Sequence, residues 1–136
     1  MMQVLHPPGW ARPRGYSNGI STEGGRLVFI AGQIGWNAQC VFTEKGFGGQ
    51  FRQTLENILA VLAEAGGRPE HIVRLTWYVV DKQEYLAAGA DVGIAYRELM
   101  GRNYPTMAVV QVGALVEDAA RLEIEAMAVV PSAPAS

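Results

Sequence analysis

Two side chains that could move a proton in an apolar setting are Glu123 and Glu125, in the run Leu122-Glu123-Ile124-Glu125-Ala126-Met127-Ala128-Val129-Val130. Strand alternation puts Leu122, Ile124, Ala126 and Ala128 on one side of this run, with Glu123, Glu125, Met127 and Val129 on the other. A carboxylate in that position could orient or deprotonate a water, or protonate the carbon or nitrogen of an imine. The bland alternative is a solvated strand carboxylate, and Glu125 is the same choice one pleat on. Tyr16 offers a hydroxyl that either closes a pocket or packs as a turn aromatic. Arg14 lies two residues earlier, so an extended backbone would put both side chains on one side and supply a cation. Arg12 and Arg102 are weaker cation candidates. Trp36, directly after Gly35, either walls a pocket or merely packs. Cys40 would act as a nucleophile only with a histidine beside it, and His6 and His71 belong to separate segments. No metal-ligand spacing, nucleophile elbow, phosphate-binding loop or dinucleotide fingerprint occurs.

These residues need elements to hold them. The chain has 136 residues, 49% hydrophobic and 18% charged, which predicts one domain over residues 1–136. Eleven basic and 13 acidic residues give a net charge of -2 with no basic block, so nucleic acid is not an expected partner. One cysteine excludes an internal disulfide and fits a reducing compartment, so the expected location is the cytoplasm. No segment has the apolar length of a signal peptide or a membrane span, so no membrane association is expected.

Residues 1–15 are expected to form an irregular lead-in, most clearly in Pro7 to Gly15, and residues 131–136 a frayed tail. Tyr16 to Ser21 and Arg26 to Ala31 read as two strands of a hairpin around Gly24-Gly25. Gly32 to Gly49 reads as a loop. Phe51, Leu55, Ile58, Leu59 and Leu62 then repeat with a helical period, ended by Gly66 and Gly67. Ile72 to Val80 is a strand running into Asp81-Lys82-Gln83-Glu84, whose capping-box spacing starts a second helix ending at Gly101. Met107 to Val112 and Arg121 to Val130 are the last strands. The order predicts an α+β fold, a mixed sheet with two helices packed on one face. The other face of the last strand is partly apolar, and a second subunit is its simplest cover.

Several separated motifs resemble one family: Gly15-Tyr16-Ser17-Asn18-Gly19, Ala31-Gly32-Gln33-Ile34, Gln53-Thr54-Leu55-Glu56-Asn57-Ile58, Tyr78-Val79-Val80-Asp81, Tyr104-Pro105 and Ile124-Glu125-Ala126-Met127-Ala128. Over nearly its whole length the chain resembles the Rid (reactive intermediate deaminase) family, also called the YjgF or L-PSP endoribonuclease family. The resemblance implies a chorismate-mutase-like fold and a homotrimer with active sites in clefts between subunits. It implies hydrolysis of a small enamine or imine metabolite to a carbonyl compound and ammonia, with water and no cofactor or metal. Tyr16, Gly32 and Glu123 match the family's pocket tyrosine, glycine and acidic residue. Met107 stands where deaminating members carry an arginine for the substrate carboxylate, Val109 where a cysteine is common, and Gly93 where an asparagine often lies.

Methionine has no donor, whereas guanidinium grips a carboxylate with a planar fork. Losing such a bond costs roughly 1.5–3 kcal/mol, so the substrate class is expected to change unless another cation, Arg14 for example, fills in. Met107, Glu123, Tyr16 and Trp36 are expected to line one intersubunit cleft. The alternatives are a trimer that binds a small ligand without converting it and, more remotely, an endoribonuclease, which the acidic balance opposes.

Overall fold

The computed structural model describes residues 2–132, so the last four residues of the expected tail lie outside the described residues. In chain order the elements are β1 (Met2–Leu5), β2 (Gly19–Thr22), β3 (Arg26–Ile34), α1 (Phe47–Ala63), a 3-10 turn (Pro69–His71), β4 (Ile72–Val79), α2 (Lys82–Ala87), α3 (Gly89–Met100), β5 (Thr106–Gln111) and β6 (Leu122–Val130). The main sheet has the order β3-β6-β4-β5, with β4 and β5 parallel and the other neighbours antiparallel. The fold is therefore α+β with a mixed sheet, as the element order predicts.

Alternation along β6 sorts its side chains as expected. Leu122, Ile124 and Ala128 are fully buried on the helix side. Leu75, Trp77 and Val79 of β4 join them, and the helical stripe Phe51, Leu55, Ile58 and Leu62 of α1 closes the core from above. Phe51 stacks on Trp77 with ring centroids 4.9 Å apart and planes 22° from parallel, an arrangement worth about 0.5–1.5 kcal/mol beyond its burial. The helix ends where its glycines predict: Gly67 N–H donates to Leu62 O (3.0 Å) and Gly66 N–H to Ala63 O (2.9 Å).

Four local expectations are corrected. The hairpin partner of β2 is β1, with Met2 opposite Thr22 and Leu5 opposite Gly19, while β3 pairs with β6. The glycine turn is present, but β2 buries no side chain, whereas β3 brings Ile30 into the core beside Ala126. The same pairing makes Met2–Leu5 a strand inside the expected lead-in; residues 6–18 carry neither helix nor strand. The glycine-rich stretch is shorter than expected, because β3 runs through Gly32 to Ile34 and α1 takes in Gly48 and Gly49. There glycine serves close packing, since a β-carbon on Gly48 would sit 2.9 Å from Asp91 Cβ and one on Gly49 would sit 2.6 Å from Glu44 Oε2.

The second expected helix is two helices, so the described residues form three α-helices rather than two. Asp81 caps α2 through Gln83 N–H (2.9 Å). The helix breaks at Ala88, whose N–H is shared between Glu84 O and Tyr85 O while its carbonyl accepts from Val92 N (2.9 Å) to start α3. A glycine next in sequence weakens continuation at that point.

Candidate functional site

Two groups of candidate residues form, one on each face of the sheet. On the helix side a cleft of about 600 Å³ opens between α2, α3 and the edge strand β5. Its floor is Trp77, Met107 and Val109, and the register explains why: Met107 pairs with Leu75 and Val109 with Trp77, so all four point toward the helices. Tyr85, Leu86, Gly93, Tyr96 and Arg97 form the helical wall, and Arg14, Gly15 and Tyr16 form the opposite lip.

That lip is pinned. Ser17 N–H donates to Pro105 O (3.1 Å) and its hydroxyl to Tyr104 O (2.5 Å), so the Tyr16-Ser17 and Tyr104-Pro105 motifs, far apart in sequence, meet at the cleft. Tyr104 stacks on Tyr96 at 5.7 Å and 6°. The Tyr96 hydroxyl donates to Asn103 O. Burial, with a smaller contribution from Tyr104, pushes its phenol well above the ordinary tyrosine value, so it stays a neutral donor. Tyr85 meets Trp77 edge-on at 5.9 Å and 84°. The wall is thus aromatic, with two guanidinium groups at its margin.

On the open face, Gly32 and Glu123 are in contact. The ladder between β3 and β6 slips between Ile30 and Gln33, so Ala31 and Gly32 form a bulge outside the regular pairing. A β-carbon on Gly32 would sit 2.3 Å from Glu123 Oε2 and 2.8 Å from its Cδ, closer than atoms can approach. Glu123 is half-buried, and among the described residues no donor holds its carboxylate. Glu125 is exposed and engaged by Tyr78, whose hydroxyl donates to Oε1 at 2.7 Å; that acceptor raises the phenol above its usual value. The carboxylate left available is therefore Glu123.

Within one chain Met107 and Glu123, expected to line one intersubunit cleft, lie on opposite faces of the sheet. Glu123 pairs with Tyr78 on the open face and Met107 with Leu75 on the helix face, so the sheet separates them. Arg14 and Tyr16 do lie with Met107. Trp36 lies in neither group: its ring sits 5.8 Å from Phe42, and its carbonyl accepts from Asn57 Nδ2 (2.8 Å), because the loop after β3 folds back over α1. Cys40 is exposed at a positive φ of 61°, and His71 is used locally, its Nδ1 accepting from Arg68 N–H (2.9 Å). Among the described residues there is no group of three metal-ligating side chains, and no helix is long and apolar enough to cross a membrane. The sequence reading missed Arg97, Trp77, Tyr85 and Tyr96. Arg97 falls four residues after Gly93, which was a signal for a side chain lying over a small residue on one helix face.

The model of the family described as endoribonuclease L-PSP matches residues 11–130. The chain belongs to this family, the Rid family. A RutC family protein of Pyrococcus horikoshii is 34% identical over 130 residues, covering 94% of this chain and 98% of that protein. A protein of Escherichia coli K12 named putative reactive intermediate deaminase TdcF is 30% identical over 132 residues, covering 95% of both. Among solved structures, the Rid family protein YyfB of Yersinia pestis superposes with a TM-score of 0.85 at 30% identity, covering 95% of this chain and 98% of that one. Both faces described above lie inside the matched Rid segment, from Arg14 to Glu123.

Proposed function

We propose that this Rid family member is a homotrimeric, cofactor-independent hydrolase of small enamines or imines. Each site is built from the helix-side cleft of one subunit and the Gly32–Glu123 pair of the next. Glu123 takes a proton from a water whose oxygen adds to the imine carbon; protons return to nitrogen, the carbon–nitrogen bond breaks, and ammonia leaves with a carbonyl product. The observation that carries this reading is the Glu123 carboxylate, pressed against Gly32 and held by no donor among the described residues, on a sheet face that also exposes Leu27 (62%) and Phe29 (70%). A polar group available for chemistry beside an apolar surface fits a site completed by a second subunit. The name of the Escherichia coli relative, a putative reactive intermediate deaminase, supports the same reaction class.

Met107 sets the substrate class apart, because a thioether at that point gives a carboxylate nothing to bind. The same residue favours a second reading, a trimer that binds a small ligand without converting it. Ammonia release from 2-aminoacrylate and from imines generated in place by an amino-acid oxidase separates the two. The wild type should release ammonia well above the uncatalysed rate, and Glu123→Gln should lower kcat by about 100-fold or more. Binding without turnover across the panel would leave only the second reading.

A further inference from the structure

Two arginines border the helix-side cleft, Arg14 from the lip and Arg97 from α3. Among the described residues neither guanidinium has an ion-pair or hydrogen-bond partner, whereas Arg52, Arg68 and Arg121 are each matched to a glutamate. Arg97 does not simply extend into solvent. Its Nη1 lies 3.5 Å from the point that a β-carbon on Gly93 would occupy, so the guanidinium lies back along the helix over the preceding turn, in the direction helical side chains take. A β-carbon at position 93 would just touch the guanidinium, and a longer side chain would compete for that space.

The same cleft is lined by Met107, Val109 and Trp77, with Tyr85 and Tyr96 in its wall. Trp77 is 3% exposed, and its indole N–H has no hydrogen-bond partner among the described residues. A cleft of about 600 Å³ is of the size that takes a drug-sized molecule, and a three-carbon acid would leave most of it wet. Resting on the deaminase reading above, we propose that Arg97, assisted by Arg14, is the anion-binding group of the cleft, and that the substrate is a carboxylate carrying an aromatic or bulky apolar body that lies on Met107 and Trp77. The charge that position 107 lacks is thus supplied from α3 rather than from β5. The carboxylate then enters along a different wall and leaves the methionine to an apolar body. Planar, bidentate pairing suits guanidinium and carboxylate, and an aromatic body suits the stacked rings around it.

Calorimetry on the full chain tests this with stable probes: phenylpyruvate, benzoate, pyruvate and the neutral benzamide. Phenylpyruvate and benzoate should bind more tightly than pyruvate and benzamide, and less tightly as salt is raised. Arg97→Gln should weaken both aromatic carboxylates about tenfold or more and leave benzamide unchanged, with Arg97→Lys keeping part of the affinity. Unchanged carboxylate affinity in Arg97→Gln, an equal loss for benzamide, or no carboxylate binding at millimolar concentration would overturn the assignment. Ammonia release separates this from the wider reading. Arg97-dependent carboxylate binding without hydrolysis of any imine leaves the anion site standing and removes the deaminase. Hydrolysis with a KM indifferent to Arg97 does the reverse.

Discussion

Where the Glu123 carboxylate lies, only a residue without a β-carbon fits beside it at position 32: a β-carbon there would fall 2.3 Å from Oε2, so the carboxylate would have to move. The bulge at Ala31-Gly32 turns this part of β3 out of register and lets the carboxylate lie flat on the backbone. Gly32→Ala should therefore displace the carboxylate without disturbing the core, which lies on the other side of the sheet. The expected result is a fall in kcat of about 100-fold with a shift in Tm of only a few degrees. An alanine variant that keeps full turnover would show that the position of Glu123 against residue 32 is irrelevant. Both members of this pair were named from the family resemblance; strand alternation alone put Glu123 and Glu125 on the same face without choosing between them. Trp36 was not, since a place next to Gly35 says nothing about which way a loop folds. Arg97 was hidden for a related reason. An arginine on a helix reads as surface until the glycine four residues earlier is seen as the space it occupies.

Between elements, one buried amide does much of the positioning. Gln50, 1% exposed on α1, donates from Nε2 to Ala119 O (2.9 Å) and Glu44 O (3.1 Å) and accepts from Arg121 N–H (2.7 Å). It ties the loop before α1 and the entry to β6 to the helix, and so fixes where β6 begins and which of its residues reach the open face. Arg121 then pairs with both oxygens of Glu84 on α2, at 2.6–3.2 Å, which links the cleft wall to the same strand. Gln50→Leu keeps the volume and leaves three backbone groups unsatisfied, so it should cost roughly 2–4 kcal/mol in chemical denaturation at matched protein concentration. A change below about 0.5 kcal/mol would mean the loop finds other partners. The period of α1, its glycine stop and the alternation of β6 were all readable, because each follows from residues close in sequence. The partner of β2 was not. A glycine turn specifies a reversal, but which strand the chain then joins depends on a core row contributed by β6, about 100 residues away. The break at Ala88 likewise depends on a hydrogen-bond exchange that the capping-box start at Asp81 and the glycine stop at Gly101 do not reveal.

At the scale of the whole molecule, the sheet divides the candidate groups: Arg14, Arg97 and apolar side chains on the helix face, the Glu123 carboxylate on the open face. The partly apolar open face was legible in the residues alternating with Glu123 and Glu125. That Met107 and Glu123 lie on opposite faces of one sheet was not, because it depends on the register of β4 with both β5 and β6. The central claim is that one active site joins the cleft of one protomer to Glu123 of its neighbour. It is tested most directly by co-expressing in equal amounts two inactive variants, Glu123→Gln and the cleft-filling Gly93→Trp, and measuring ammonia release from the mixed oligomer. A shared site predicts recovery of about a quarter of wild-type activity, since a cleft left open in one variant meets a native Glu123 in the other. Mixed oligomers as inactive as either parent would contradict it.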